Sequence, residues 1–262
     1  MSAPVRADDT AGAADAAAVV QDAAGGHPLT GRRRVRVFRY KRGDRGPHYE
    51  EFEVPVGEPT TVLEALRWIQ VHRDRSLALR HSCLHASCGT CGVRVNGREG
   101  LACVVAVRDL SGGTVTVEPM ANIPVLNDLV VDMERFVSRF TSPHPILRAS
   151  EFLPDASSPE GVDGYERFED CIECGLCLSA CPVAATDDTY VGPAALAYAQ
   201  RMLEESRGAD REAILNWADD DRAAWRCHAA FECTEACPSN VRPAQRIMSL
   251  RKELRHRGGG SS

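Results

Sequence analysis

The stretch CIECGLCLSACP, residues 171–182, places four cysteines within eleven positions and closes on a proline, in the pattern Cys-x2-Cys-x2-Cys-x3-Cys-Pro. Such a run wraps thiolates around an iron–sulfur centre, and in ferredoxins with two clusters its fourth cysteine ligates the other cluster. The pattern therefore calls for a second run downstream. CHAAFECTEACP, residues 227–238, supplies one with a departure: Cys227, Cys233 and Cys237 match the first, third and fourth positions, and Ala230 stands where the second cysteine would fall. With the ligands exchanged, Cys171, Cys174, Cys177 and Cys237 hold a [4Fe–4S] cluster, and Cys181, Cys227 and Cys233 remain for a second one. Three thiolates leave one corner of a cubane without a protein ligand, and loss of that iron gives [3Fe–4S]. A [4Fe–4S] cluster with an open iron for substrate, as a Lewis-acid dehydratase uses, is the alternative at this site.

A third group lies earlier, in CLHASCGTC. Cys83, Cys88 and Cys91, followed by Cys103 after eleven intervening residues, have the plant-type Cys-x4-Cys-x2-Cys…Cys spacing of a [2Fe–2S] cluster. Gly89 and Gly92 lack Cβ atoms, which lets the loop fold tightly and turn backbone N–H groups toward sulfur. A structural zinc site also takes four thiolates, but it usually pairs two short Cys-x2–4-Cys knuckles, unlike this spacing. The three groups use all eleven cysteines, so neither a catalytic thiol nor a disulfide framework has a residue to work with. Clustering at metal-ligand spacings, in a chain of this length, points to a reducing compartment.

The 262 residues, 44% of them hydrophobic, are enough for two domains with their own cores. The net charge is −6, and basic residues alternate with acidic ones, so the chain lacks the electrostatic footprint of a nucleic-acid binder. The one dense basic run, Arg32–Arg34, reads as a solvated strand edge. No window approaches the roughly 18 apolar residues of a transmembrane helix, so any membrane link belongs to a partner.

Along the chain, residues 1–31 are rich in Ala, Asp and Gly without periodicity and read as a disordered or docked tail. VRVFRY and YEEFEVPV alternate as a hairpin. Thr61 to Glu64 is a capping box that opens a helix with Val62, Ala65, Leu66 and Ile69 on one face, against which Trp68 packs. In GVRVNGREGLAC, Asn96-Gly97 marks a type I′ hairpin, and TVTVE is a last strand. These segments make a [2Fe–2S] domain with a mixed sheet over residues 32–135. In the connection between the halves, MANIPVLNDLVVDMERFV reads as a short amphipathic helix after a proline, and LPDASSPEGVDG as a loop. Segments 193–206, 211–221 and 243–255 read as helices, two opening on proline, in a second domain spanning 136–257. GGGSS, 258–262, resembles a linker or tag scar.

Taken together, a plant-type cysteine domain followed by CIECGLCLSACP and CHAAFECTEACP resembles the iron–sulfur subunit of succinate dehydrogenase or fumarate reductase, over roughly residues 32–255. PMANIPVLNDLVVDM is similar to that family as well. The resemblance implies an α+β fold, with an N-terminal plant-type ferredoxin (β-grasp) domain and a C-terminal all-helical, bacterial-ferredoxin-like domain. It implies single electrons passing from FAD on a partner flavoprotein through [2Fe–2S], [4Fe–4S] and [3Fe–4S] to a quinone at one or more hydrophobic anchor subunits, with or without haem. The chain would then be peripheral, on the cytoplasmic side of the cell membrane, and would hold neither succinate nor flavin. Many ubiquinone-linked relatives carry tryptophan where this chain has Thr186, and DDTYVGPAALAYA resembles menaquinone-using members, which favours menaquinone. Pro182 and His228 match family positions near the quinone; a histidine that only packs or hydrogen-bonds is the alternative for His228. CLHASC departs from the family's CREGxC, while all four [2Fe–2S] cysteines are kept. A soluble ferredoxin-type carrier is the other functional reading.

Overall fold

The computed structural model describes residues 29–141, 171–204 and 210–258. The segment LPDASSPEGVDG, residues 1–28 of the expected tail and the last four residues fall outside the described residues.

A five-stranded sheet forms the first half: β1 (Leu29–Arg39), β2 (His48–Gly57), β3 (Gly92–Val95), β4 (Arg98–Leu101) and β5 (Thr114–Glu118), in the order β2-β1-β5-β3-β4. β1 pairs antiparallel with β2 and parallel with β5, while β3 pairs antiparallel with β4 and β5, so the sheet is mixed as the sequence leads one to expect. Alternation puts Val35, Val37, Val54, Val93, Val95, Val115 and Val117 on the buried face. Helix α1 (Val62–His72) covers that face with Leu63, Ala65, Leu66 and Ile69. Both halves of its capping box form: the Glu64 amide donates to the Thr61 hydroxyl at 3.2 Å, and the Thr61 amide donates to the Glu64 carboxylate at 2.7 Å. Trp68 is half-buried and stacks on His72. The β3–β4 turn has Asn96 at φ 49° and Gly97 at φ 80°, as a type I′ turn requires.

Arg32 and Arg34 are exposed, as expected of a solvated run, and Arg32 and Arg33 pair only with β2; from Arg34 onward β1 is an interior strand, paired with β5 as well. Arg33 donates to the Leu110 carbonyl at 2.6 Å and Arg34 pairs with Glu53. One expectation needs correction. The span read as one amphipathic helix is divided between a two-stranded ribbon, β6 (Val125–Asn127) and β7 (Val130–Val131), and a helix α2 (Glu134–Thr141). The cause is the buried Asp128 at the ribbon's turn, at φ 46°. Its carboxylate accepts from Arg39 Nε at 3.1 Å, the Tyr40 amide at 3.0 Å and the Ala78 amide at 2.8 Å, contacts that no local pattern encodes.

The later half is helical among the described residues: α3 (Leu176–Ser179), α4 (Pro182–Thr186), α5 (Pro193–Leu203), α6 (Arg211–Ala218), α7 (Glu232–Glu235) and α8 (Pro243–Gly258). Proline opens α5 and α8 as expected, where its missing N–H would be unpaired in any case. The N-cap Asp210 accepts from the Ala213 amide at 3.0 Å. A continuous buried cluster runs from Val35 in the sheet through Met120, Ile123 and Leu176 to Ile247 and Leu250 in α8. Among the described residues no helix is long and apolar enough to cross a membrane.

Candidate iron–sulfur centres

The loop between α1 and β3 brings Cys83, Cys88 and Cys91 together, and the turn after β4 adds Cys103 beneath them. Ser87 and Cys88 amides donate to Cys83 Sγ at 3.3 Å, and the Ala86 amide donates to Cys103 Sγ at 3.3 Å. To turn these amides inward the backbone takes positive φ at Leu84 (66°), Ala86 (62°) and Gly89 (70°). Ala86 occupies the position where the pattern CREGxC has glycine, so this chain holds a Cβ-bearing residue in the left-handed region there. The Thr90 hydroxyl donates to Cys88 Sγ at 2.9 Å and is the main reason that thiol is held down at about 6, whereas burial pushes Cys91 up to about 12. Donors aimed at sulfur, around four cysteines, are the surroundings that an anionic [2Fe–2S] centre takes.

In the helical half the two cysteine runs have one backbone design. Glu173 (φ 51°) and Ala229 (φ 55°) stand two residues after their first cysteines; Gly175 (φ 81°) and Phe231 (φ 68°) cap the short helices α3 and α7. Packed face to face, the runs divide their cysteines between two cavities. One is lined by Cys171, Cys174, Cys177 and Cys237, the other by Cys181, Cys227, Cys233 and Ala230. Each run thus sends its last, pre-proline cysteine to the cavity of the other. Burial pushes Cys174 up to about 11, Cys233 up to about 12 and Cys177 well above the ordinary thiol range. Without a cationic partner these thiols stay protonated at neutral pH; iron is a partner that makes them tenable as thiolates. Among the described residues no three His, Cys, Asp or Glu side chains converge tightly enough for a single ion. The all-cysteine donor sets lining the two cavities have the chemistry that iron–sulfur clusters take.

Side chains from outside the runs brace them. Asn122, at φ 61°, donates to the carbonyls of Leu178, Ser179 and Cys181 at 3.0, 2.8 and 3.0 Å. Arg251 of α8 donates to the carbonyls of Ala224, Trp225 and Cys227. Gly89 of the first loop touches the second: a Cβ there would stand 2.7 Å from Cys174 Cβ and 3.0 Å from the Ile172 carbonyl. The three cysteine groups therefore follow one another without an intervening layer. Pro182 and His228 are exposed at the mouth of the Cys181 cavity, and a wider cleft of about 580 Å³ opens beside Cys181 between the β3–β4 turn and α7.

Residues 34–138 match the family described as 2Fe-2S iron-sulfur cluster binding domain, and residues 167–241 match 4Fe-4S dicluster domain. A fumarate reductase iron-sulfur subunit of Mycobacterium tuberculosis is 38% identical over 244 residues, covering 86% of this chain and 98% of the relative. The corresponding subunit of Escherichia coli is 34% identical over 84% of this chain and 92% of its own length. This chain belongs to the family of succinate dehydrogenase and fumarate reductase iron–sulfur subunits. The succinate dehydrogenase iron-sulfur subunit of Coxiella burnetii is 33% identical, over 80% of this chain and 92% of the relative. In fold, the iron–sulfur subunit matches a chain of the Mycobacterium smegmatis Sdh1 complex in the apo form, with a TM-score of 0.79 at 24% identity, covering 87% of this chain and 97% of that one. The chain is thus an electron-transfer component of its enzyme, with a [2Fe–2S] domain followed by a [4Fe–4S] domain.

Asn122, Arg251 and the buried Tyr190 are site residues that spacing arguments pass over, since each acts across the fold; Thr90 was passed over as well. For Thr90 a local signal existed, because a hydroxyl two residues after a ligand reaches that ligand's sulfur.

Proposed function

We propose that this subunit works in a membrane-bound succinate:menaquinone oxidoreductase. In this reading Cys83, Cys88, Cys91 and Cys103 hold [2Fe–2S], Cys171, Cys174, Cys177 and Cys237 hold [4Fe–4S], and Cys181, Cys227 and Cys233 hold [3Fe–4S]. When bound, these clusters supply the one-electron steps that connect FAD on a partner flavoprotein with quinone at a hydrophobic anchor. The observation that carries the reading is the crossed division of the two runs between adjacent cavities, with Ala230 where a fourth thiolate would complete the second.

The chain's own residues then have distinct tasks. Backbone amides and the Thr90 hydroxyl steady the thiolates of the first loop. Gly89 sets the approach of that loop to Cys174, and Asn122 and Arg251 fix the ends of the two runs. Exposed Pro182 and His228 lie where quinone meets the last cluster, and the exposed Phe231 lines the same cavity. The [2Fe–2S] domain spans 32–135 and the helical domain 136–257. The chain is held on the cytoplasmic face of the cell membrane by its partners. Thr186 and the DDTYVGPAALAYA stretch favour menaquinone.

A second reading runs the same components as a fumarate reductase, which the names of the Mycobacterium tuberculosis and Escherichia coli relatives favour. A redox titration of the clusters beside the native quinone separates the two directions. Affinity isolation of the tagged chain from detergent-treated membranes tests both: a flavin-containing subunit and hydrophobic anchors accompany it if either reading holds. A lone soluble holoprotein would overturn them in favour of a free carrier.

A further inference from the structure

Tyr190 precedes α5 and is wholly inaccessible to solvent, with 0% of its surface exposed. It lines the cavity of Cys181, Cys227 and Cys233, and among the described residues its hydroxyl meets no hydrogen-bond partner. Packing alone does not account for that hydroxyl, because phenylalanine would fill the same space without burying an unpaired polar atom. The neighbours that could satisfy it are sulfurs. A phenol O–H is a hydrogen-bond donor, and the sulfurs of Cys181, Cys227 and Cys233 line the same cavity. Cys227 already accepts from the Ala229 amide at 3.4 Å and has room for another donor.

We propose that Tyr190 donates its hydroxyl hydrogen bond to sulfur at the Cys227 side of the third cluster and thereby sets that cluster's reduction potential. The inference rests on the assignment of Cys181, Cys227 and Cys233 to a third cluster. The physical reason is charge. Reduction adds one electron, drawn from the neighbouring [4Fe–4S] cluster, to a centre already ligated by thiolates, and a hydrogen bond to sulfur strengthens as the sulfur grows more negative. Tyr190 keeps its proton throughout and no bond is made or broken, so the donor favours the reduced form and raises the potential. A potential raised at the last cluster draws electrons toward the quinone side.

The test is a redox titration of the isolated membrane complex followed by electron paramagnetic resonance, with Y190F beside the wild type. The isosteric variant keeps the ring and its packing. The expected result is a third-cluster potential lowered by the equivalent of about tenfold in the one-electron equilibrium, ~59 mV. The [2Fe–2S] and [4Fe–4S] potentials stay where they are. A fully loaded Y190F complex with an unchanged third potential overturns the role of Tyr190 and leaves the cluster assignment standing. If Y190F loses the cluster, 3-fluorotyrosine placed at position 190 decides, because the fluorine strengthens the donor. A higher third potential then supports the proposal, and an unchanged one overturns it. Absence of any third-cluster signal in the wild-type complex overturns the assignment, and the tyrosine's role with it.

Discussion

Replacing Gly89 by alanine probes the junction between the first and second cysteine loops. Gly89 is buried at φ 70°, and an added Cβ would lie 2.7 Å from Cys174 Cβ, 3.0 Å from Cys174 Cα and 3.0 Å from the Ile172 carbonyl. None of these atoms is the end of a flexible side chain, so relief requires the two loops to separate by ~1 Å, to ordinary carbon contact. The left-handed backbone costs an L-residue roughly 1–2 kcal/mol, and overpacking adds roughly 1–3 kcal/mol. G89A is therefore expected to weaken the docked arrangement by about 2–5 kcal/mol. Two assays read this on the reduced complex: the denaturant midpoint, and the magnetic interaction between [2Fe–2S] and [4Fe–4S]. The expected outcome is full occupancy of both clusters, a lower midpoint and a weaker mutual broadening of their resonance signals. Wild-type stability with undiminished coupling would refute the argument that Gly89 sets the approach.

Three further outcomes follow from the geometry. A230C supplies the missing thiolate of the second cavity, so the cluster should keep a fourth iron and lose its oxidised [3Fe–4S] signal; the extra negative charge lowers its potential, and quinone reduction slows while succinate reduction of a flavin-level dye persists. T90V removes the 2.9 Å hydrogen bond to Cys88 and should lower only the [2Fe–2S] potential, by up to ~59 mV, read by spectroelectrochemistry. D74N breaks a pair with the buried Arg39, which holds Asp74 down at about 2 against its ordinary 3.8, and should cost about 2 kcal/mol in a urea titration. A depressed carboxylate stabilises the fold above its unfolded pKa and loses that contribution only as the pH falls toward its folded value, so the D74N penalty should be constant from about pH 5 to 8.

Local chemistry was legible in the sequence wherever a few adjacent residues decide the backbone. Thr61 and Glu64 form both bonds of their capping box, Asn96 and Gly97 take the turn they signal, and Pro193 and Pro243 open helices. The crossed division of the cysteines was raised as an expectation by the known exchange in two-cluster ferredoxins, and the structure places each set of cysteines along one cavity. What failed depended on distant partners. Val125 to Val131 suit a helix or a strand, and the Asp128 bonds to Arg39, Tyr40 and Ala78 settle the matter in favour of a ribbon. The run Arg32–Arg34 reads as an edge, and only at Arg34 does β5, a distant segment, pair beside it. Gly89 packs against Cys174, and Tyr190 and Cys227 line one cavity, though no short motif links either pair.

Cys181→Ser tests whether the run 171–182 gives its last cysteine to the cluster of the other run. Electron paramagnetic resonance of the oxidised and reduced complex reads each cluster separately. The expected result is damage to the [3Fe–4S] signal with [2Fe–2S] and [4Fe–4S] retained, although Cys181 stands in the [4Fe–4S] sequence motif. Selective loss of [4Fe–4S] with an intact [3Fe–4S] signal would contradict the crossed assignment.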